Sequence, residues 1–94
     1  MSVIAETIRQ GKMMRSDTLF DSGEFKTIHI QFNDKEWAYW RGTPECFQEI
    51  LNMFGAYSFR ELIDKPIRAG ANNDNACVIG HPNQDKWVEG LPPK

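Results

Sequence analysis

Apolar and polar positions alternate most clearly between Glu24 and Phe32, where Ile28, Ile30 and Phe32 fall on one face and Thr27, His29 and Gln31 on the other. A period of two is the signature of a half-buried strand. Lys12 to Phe20 reads as the strand before it, joined through Asp21-Ser22-Gly23, whose glycine takes the positive φ of a tight reversal. Asn33-Asp34-Lys35 makes the next turn, and Glu36 to Arg41 supplies a third strand containing Trp37, Ala38, Tyr39 and Trp40. Three strands joined by short turns predict an antiparallel meander.

The period then changes. Phe47, Ile50, Leu51 and Phe54 stand at i, i+3, i+4 and i+7, the apolar stripe of an amphipathic helix. Thr43 is a suitable N-cap, Pro44 fits the first helical position, Glu45 faces the positive end of the helix dipole, and Gly55 closes the helix. Ser58 and Glu61 have capping-box spacing, opening a short helical turn that Lys65-Pro66 stops. Pro66 to Ala69 reads as a strand, Gly70 to Asn75 as a polar turn, and Ala76 to Gly80 as a buried strand. Residues 1–10 read either as a short helix or as an extended N-terminal arm. Residues 82–94, with three prolines, read as a surface tail anchored by Trp87.

The order β-β-β-α-β-β predicts one α+β domain over residues 1–94, an antiparallel sheet of about five strands packed on one main helix. Its expected core is Ile28, Ile30, Phe32, Trp40, Phe47, Ile50, Leu51, Phe54, Leu62, Val78 and Ile79.

Length and charge narrow the function. Ninety-four residues, 40 % of them apolar, support a single core with no interior cavity for a cofactor, so none is expected. Eleven Lys and Arg against thirteen Asp and Glu give a net charge of −2, which argues against a strongly basic nucleic-acid binder and a polybasic membrane-surface protein. Two cysteines, Cys46 and Cys77, are too few for a disulfide scaffold and predict reduced thiols in a cytoplasmic protein. The N-terminal apolar run is broken by Glu6 and Arg9, unlike a signal sequence.

Cys46, near a helix N-terminus, sketches a thiol nucleophile with His29 or His81 as base and Asp85 as orienter. No spacing ties these residues together, and a boundary thiol is the plainer reading. Two Cys and two His scattered singly do not make a metal site, and Asn72-Asn73-Asp74-Asn75 lacks calcium-loop spacing, so no metal is expected. No glycine-rich loop for phosphate occurs.

Trp37, Tyr39 and Arg41 share one face of an alternating strand, with Ala38 and Trp40 on the other. Two readings stand side by side: cross-strand packing that stabilises a small sheet, and an exposed platform of the kind used for base stacking or protein hot spots. The net charge and the lack of a basic stripe weigh against direct nucleic-acid binding.

Asp64-Lys65-Pro66-Ile67-Arg68, Ile79-Gly80-His81 and Asp85-Lys86-Trp87 resemble the C-terminal half of small uncharacterised phage and prophage proteins, in which a "GKPIR"-like strand is followed by "IGH" and "D-x-W". Asp64 stands where that pattern has glycine, which puts an identical turn there in doubt. The resemblance implies a phage accessory protein that binds host machinery. The expectation from the whole sequence is a non-enzymatic inhibitor of a host protein or ribonucleoprotein complex, anti-CRISPR-like, acting by rigid docking. Its expected contact residues are Trp37, Tyr39, Arg41, His81, Asp85 and Trp87, with aromatic anchors and carboxylates meeting a basic groove. The alternatives are a single-stranded nucleic-acid-binding sheet, a small thiol enzyme using Cys46, and a homodimer paired through a free sheet edge.

Overall fold

The computed structural model describes residues 8–19, 25–72 and 74–91. Six strands form one sheet: β1 (Ile8–Leu19), β2 (Phe25–Phe32), β3 (Trp37–Gly42), β4 (Pro66–Asn72), β5 (Asn75–Gly80) and β6 (Trp87–Glu89). One helix, α1 (Pro44–Phe54), and a 3-10 turn (Phe59–Leu62) lie between β3 and β4. The sheet-dominated α+β class and the order of the first five strands agree with the sequence pattern. The strand count does not: the expected surface tail contributes β6, and residues 8–10 of the expected arm belong to β1. The Asp21-Ser22-Gly23 turn and residues 1–7 lie outside the described residues.

The long β1 pairs antiparallel with β2 along one edge and with β4 along the other. Strand order is β3-β2-β1-β4-β5-β6, and the two ends of this sheet meet. Tyr39 pairs in parallel with Asn75, its N–H donating to the Asp74 carbonyl at 2.7 Å. Beyond that point β3 and β5 diverge, and β6 fills the gap. It pairs antiparallel with β5, Gly90 N–H donates to Cys77 O at 2.9 Å, and Leu91 N–H donates to Arg41 O at 2.7 Å. The sheet is therefore rolled into a partly open barrel, closed between β3 and β5 at Tyr39 and Asn75 and between β6 and β3 at Leu91 and Arg41. The circuit β1-β2-β3-β5-β4, with the helix between β3 and β4, has the connectivity of the oligonucleotide/oligosaccharide-binding (OB) fold.

Local signals explain α1. Thr43 Oγ1 accepts from Cys46 N–H at 3.2 Å, Pro44 starts the helix, and Gly55 ends it in the left-handed region at φ 68°. The Ser58–Glu61 capping box is present: Glu61 Oε2 accepts from Tyr57 N–H at 2.9 Å and Ser58 N–H at 3.1 Å. Asp64 sits at φ 67°, in the left-handed region that glycine adopts without strain and Asp tolerates better than most residues.

The barrel interior holds Met13, Ile28, Ile30, Phe32, Ala38, Trp40, Ile67, Ala69, Ala76 and Ile79, with Ile50, Leu51, Leu62 and Val88 joining the same buried cluster. Phe47 and Phe54 are only partly buried. A helix laid against a curved sheet buries a narrower stripe than one lying on a flat sheet, and Ile50 and Leu51 take it. The expected Gly70–Asn75 turn is also shorter than read, because β4 runs to Asn72 and β5 begins at Asn75.

Candidate functional site

Strict alternation on β2 and β3 turns Phe25, Thr27, His29 and Gln31, with Trp37, Tyr39 and Arg41, to the outside of the barrel. Register fixes their neighbours: Gln31 opposes Trp37, His29 opposes Tyr39, and Thr27 opposes Arg41. On the other side of β2, Lys12 opposes Gln31 and Arg15 opposes His29. Two rows thus cross three strands, Lys12–Gln31–Trp37 and Arg15–His29–Tyr39, and a third runs from Asp17 through Thr27 to Arg41.

Trp37 and Tyr39 are 44 % and 43 % exposed, and both count among the largest exposed apolar side chains. The His29 imidazole meets the Tyr39 ring edge-on, with centroids 4.8 Å apart and planes at 90°. This contact fixes the phenol without covering it. The Arg41 guanidinium lies 5.7 Å from the Phe25 ring centroid. The three rows carry one cationic residue each, Lys12, Arg15 and Arg41, and the backbone register places Asp17 in the row of Arg41. Asp74, exposed at the β4–β5 turn, borders the face through its carbonyl contact with Tyr39.

Sequence reasoning named the β3 residues of this face and placed Thr27, His29 and Gln31 on the polar face of β2, but did not join Lys12 and Arg15 to them. In a regular strand Lys12 and Arg15, three residues apart, point to opposite faces. A β-bulge between Met13 and Arg15 inserts one extra residue and returns Arg15 to the face of Lys12. No alternation pattern reveals it, since the bulge exists only relative to β2.

The remaining expected contact residues form a separate group at the β5–β6 end. Trp87 Nε1 donates to Asp85 Oδ1 at 2.7 Å, and the Arg68 guanidinium lies 4.6 Å from the Trp87 ring. Arg68 also donates to His81 O at 2.8 Å and Gln84 O at 2.7 Å, and His81 N–H donates to Lys86 O at 3.0 Å. These bonds hold the 81–86 loop and give Asp85 and Trp87 structural work. His81 stacks on Phe54 at 5.2 Å between centroids, its Nδ1 accepting from Asn83 N–H at 3.0 Å. It lines a cleft of about 620 Å³ with Phe54, Leu62, Lys65, Pro66 and Asn83.

Cys46 and Cys77 are free and half-buried. The Cys77 thiol donates to Gly70 O at 3.5 Å. His29 packs on Tyr39, His81 stacks on Phe54 and Asp85 accepts from Trp87 Nε1. Among the described residues no group of three or more His, Cys, Asp or Glu is placed to hold a metal ion, and no helix is long and apolar enough to cross a membrane. No family model, curated protein or solved structure matches this chain.

Proposed function

We propose that the outer face of β1, β2 and β3 binds single-stranded nucleic acid. The observation that supports this reading best is the arrangement itself: two half-exposed rings, Trp37 and Tyr39, beside three cationic side chains on one sheet face. Unpaired bases offer π-faces that stack on such rings whatever the sequence, and a phosphate backbone between them needs the charges that Lys12, Arg15 and Arg41 supply. Duplex DNA hides its base faces and would gain little from Trp37. The OB connectivity favours the same surface, because the β2–β3 face is where that architecture commonly takes oligonucleotides or oligosaccharides. Fold alone does not assign a function, so the side chains carry the argument.

The net charge of −2 is compatible with this, since what a ligand meets is the local field. Several acidic residues lie away from the rings, with Asp34 and Glu36 on Arg9, Glu45 and Glu49 on α1 and Glu61 in its capping box, while Asp74 borders the face. The inhibitor expected from the phage resemblance is the second reading, and Trp37 and Tyr39 would also serve as protein hot spots. That reading called for carboxylates with the anchors, and the rows through Trp37 and Tyr39 end instead at Lys12 and Arg15 on β1.

The test is titration of the protein with an oligothymidylate at low salt, followed by tryptophan fluorescence. Trp40 is fully buried but Trp87 is only half-buried, so the Trp37→Phe variant is what assigns the quenching to Trp37. Saturable quenching that Trp37→Phe reduces is the expected result; unchanged emission at micromolar protein and oligonucleotide overturns the reading.

A further inference from the structure

The row that ends at Lys12 does not stop there. Lys12 opposes Gln31 on β2 and also Pro66 on β4, so Trp37, Gln31, Lys12 and Pro66 lie in one line across four strands. Three inter-strand gaps of about 4.8 Å put Pro66 roughly 14 Å from Trp37. Lys12 and Pro66 also line a hollow of about 280 Å³, shared with Asn33 and Asn83. Pro66, Pro82 and Asn83 in turn border the larger cleft of about 620 Å³ that holds the Phe54–His81 stack. The platform, the hollow and the cleft therefore follow one another around the barrel with lining residues in common.

We infer that the cleft beside the end of α1 is a second nucleotide subsite on the same tract, taking a base or sugar-phosphate of the strand whose neighbours stack on Trp37 and Tyr39. This rests on the nucleic-acid reading proposed above. The chemistry of the cleft suits it. Phe54 and His81 present stacked rings, the bond from Asn83 N–H to Nδ1 leaves His81 Nε2 as the protonated, donating nitrogen, and Lys65 supplies a cation. The Lys65 ammonium makes no ion pair or hydrogen bond with a described residue, so it needs no internal partner displaced before it meets a phosphate. The one carboxylate in the lining, Glu61, is engaged through Oε2 by two backbone N–H groups. A tract of this extent takes more nucleotides than two aromatic side chains can stack, within the range of about 4–16 known for one OB unit.

The experiment compares oligothymidylates of three and eight nucleotides on the wild-type protein and on the Lys65→Glu and His81→Ala variants, with thermal melting as a check on folding. The octamer is expected to bind the wild type more tightly than its larger number of overlapping registers explains. Each variant should weaken the octamer by about fivefold or more while leaving the trimer within about twofold. Equal effects on both lengths, or none on either, overturn the second subsite while the platform stands. Failure of both oligonucleotides to bind the wild type removes the platform and the subsite together.

Discussion

The Trp40 indole lies so close to the backbone of Gly90 that a β-carbon there would sit 2.8 Å from Nε1, and equally close to the carbonyl of Arg41. Gly42 approaches the same ring from within β3, where an added carbon would meet Cη2 at 2.3 Å. Trp40 therefore requires two glycines, one of them only after β6. Overpacking a rigid site of this kind costs about 1–3 kcal/mol. Gly90→Ala should lower the urea midpoint with an unchanged m-value, and Gly42→Ala should do so at least as strongly. An unaffected midpoint for both would show that the ring has room to move.

Removal of residues 87–94 should be far more damaging than trimming a loose tail. It exposes the gap between β3 and β5, the buried Val88 and the partners of Gly90 and Leu91. Val88 burial at about 1.5–3 kcal/mol and two hydrogen bonds at about 1 kcal/mol each sum to a large fraction of a small domain's stability. A truncation ending at Lys86 should lose its cooperative melt at 37 °C, seen by near-ultraviolet circular dichroism.

On the proposed binding face, Trp37→Ala and Tyr39→Ala should each weaken an oligothymidylate by about five- to a hundredfold, the range for loss of one stacked base. Both rings are half-exposed, so melting temperatures should move little. The slope of log affinity against log salt should be negative, at about −0.7 per phosphate neutralised on a single strand. Lys12→Ala should reduce that slope by about 0.7 without changing base preference.

Arg9 offers a test of surface electrostatics. Its guanidinium lies 4.0 Å from the Phe32 ring and pairs with Asp34 at 2.8 Å and Glu36 at 2.7 Å. The hydrogen bond to Glu36 raises its pKa above its ordinary value; burial opposes this, and the charges of Asp34 and Glu36 add to the rise. A raised pKa in the folded state contributes stability that is present below the unfolded value and disappears only as pH rises through the folded one. Arg9 therefore adds no pH dependence near neutrality. Arg9→Met should cost about 1 kcal/mol, since exposed ion pairs contribute little and the cation–π contact a similar amount. Added salt should narrow the difference from wild type.

Thr43→Ala removes the acceptor for Cys46 N–H at the start of α1 and should cost about 1 kcal/mol, with Thr43→Ser close to wild type. Chemical denaturation of the three proteins side by side measures it.

Much of this fold is legible residue by residue. The alternation of Ile28, Ile30 and Phe32, the Thr43-Pro44-Glu45 start of α1, Gly55 at its end and the burial of Trp40 all follow from local rules, and the structure carries each one. What stays hidden is relational. Trp87-Val88-Glu89 is too short and too hemmed by proline and glycine to read as a strand, and it becomes one because β3 and β5 part beside it. Gly70-Ala71-Asn72 reads as a turn because Gly and Asn disfavour strands, yet pairing with β5 overrides that weak preference. Trp37, Tyr39 and Arg41 could be placed on one face, but Lys12 and Arg15 joined them only through a bulge defined against β2.

The closing position of β6 also governs the order in which the molecule can be made. Leu91 N–H donates to the Arg41 carbonyl from fifty residues further along the chain. During synthesis the first three strands and the helix leave the ribosome with that seam open. Contacts of such long range slow folding, and they delay the seal until residues 87–91 have emerged. A nascent chain stalled before that point would carry an unsealed β3, the strand that bears Trp37 and Tyr39.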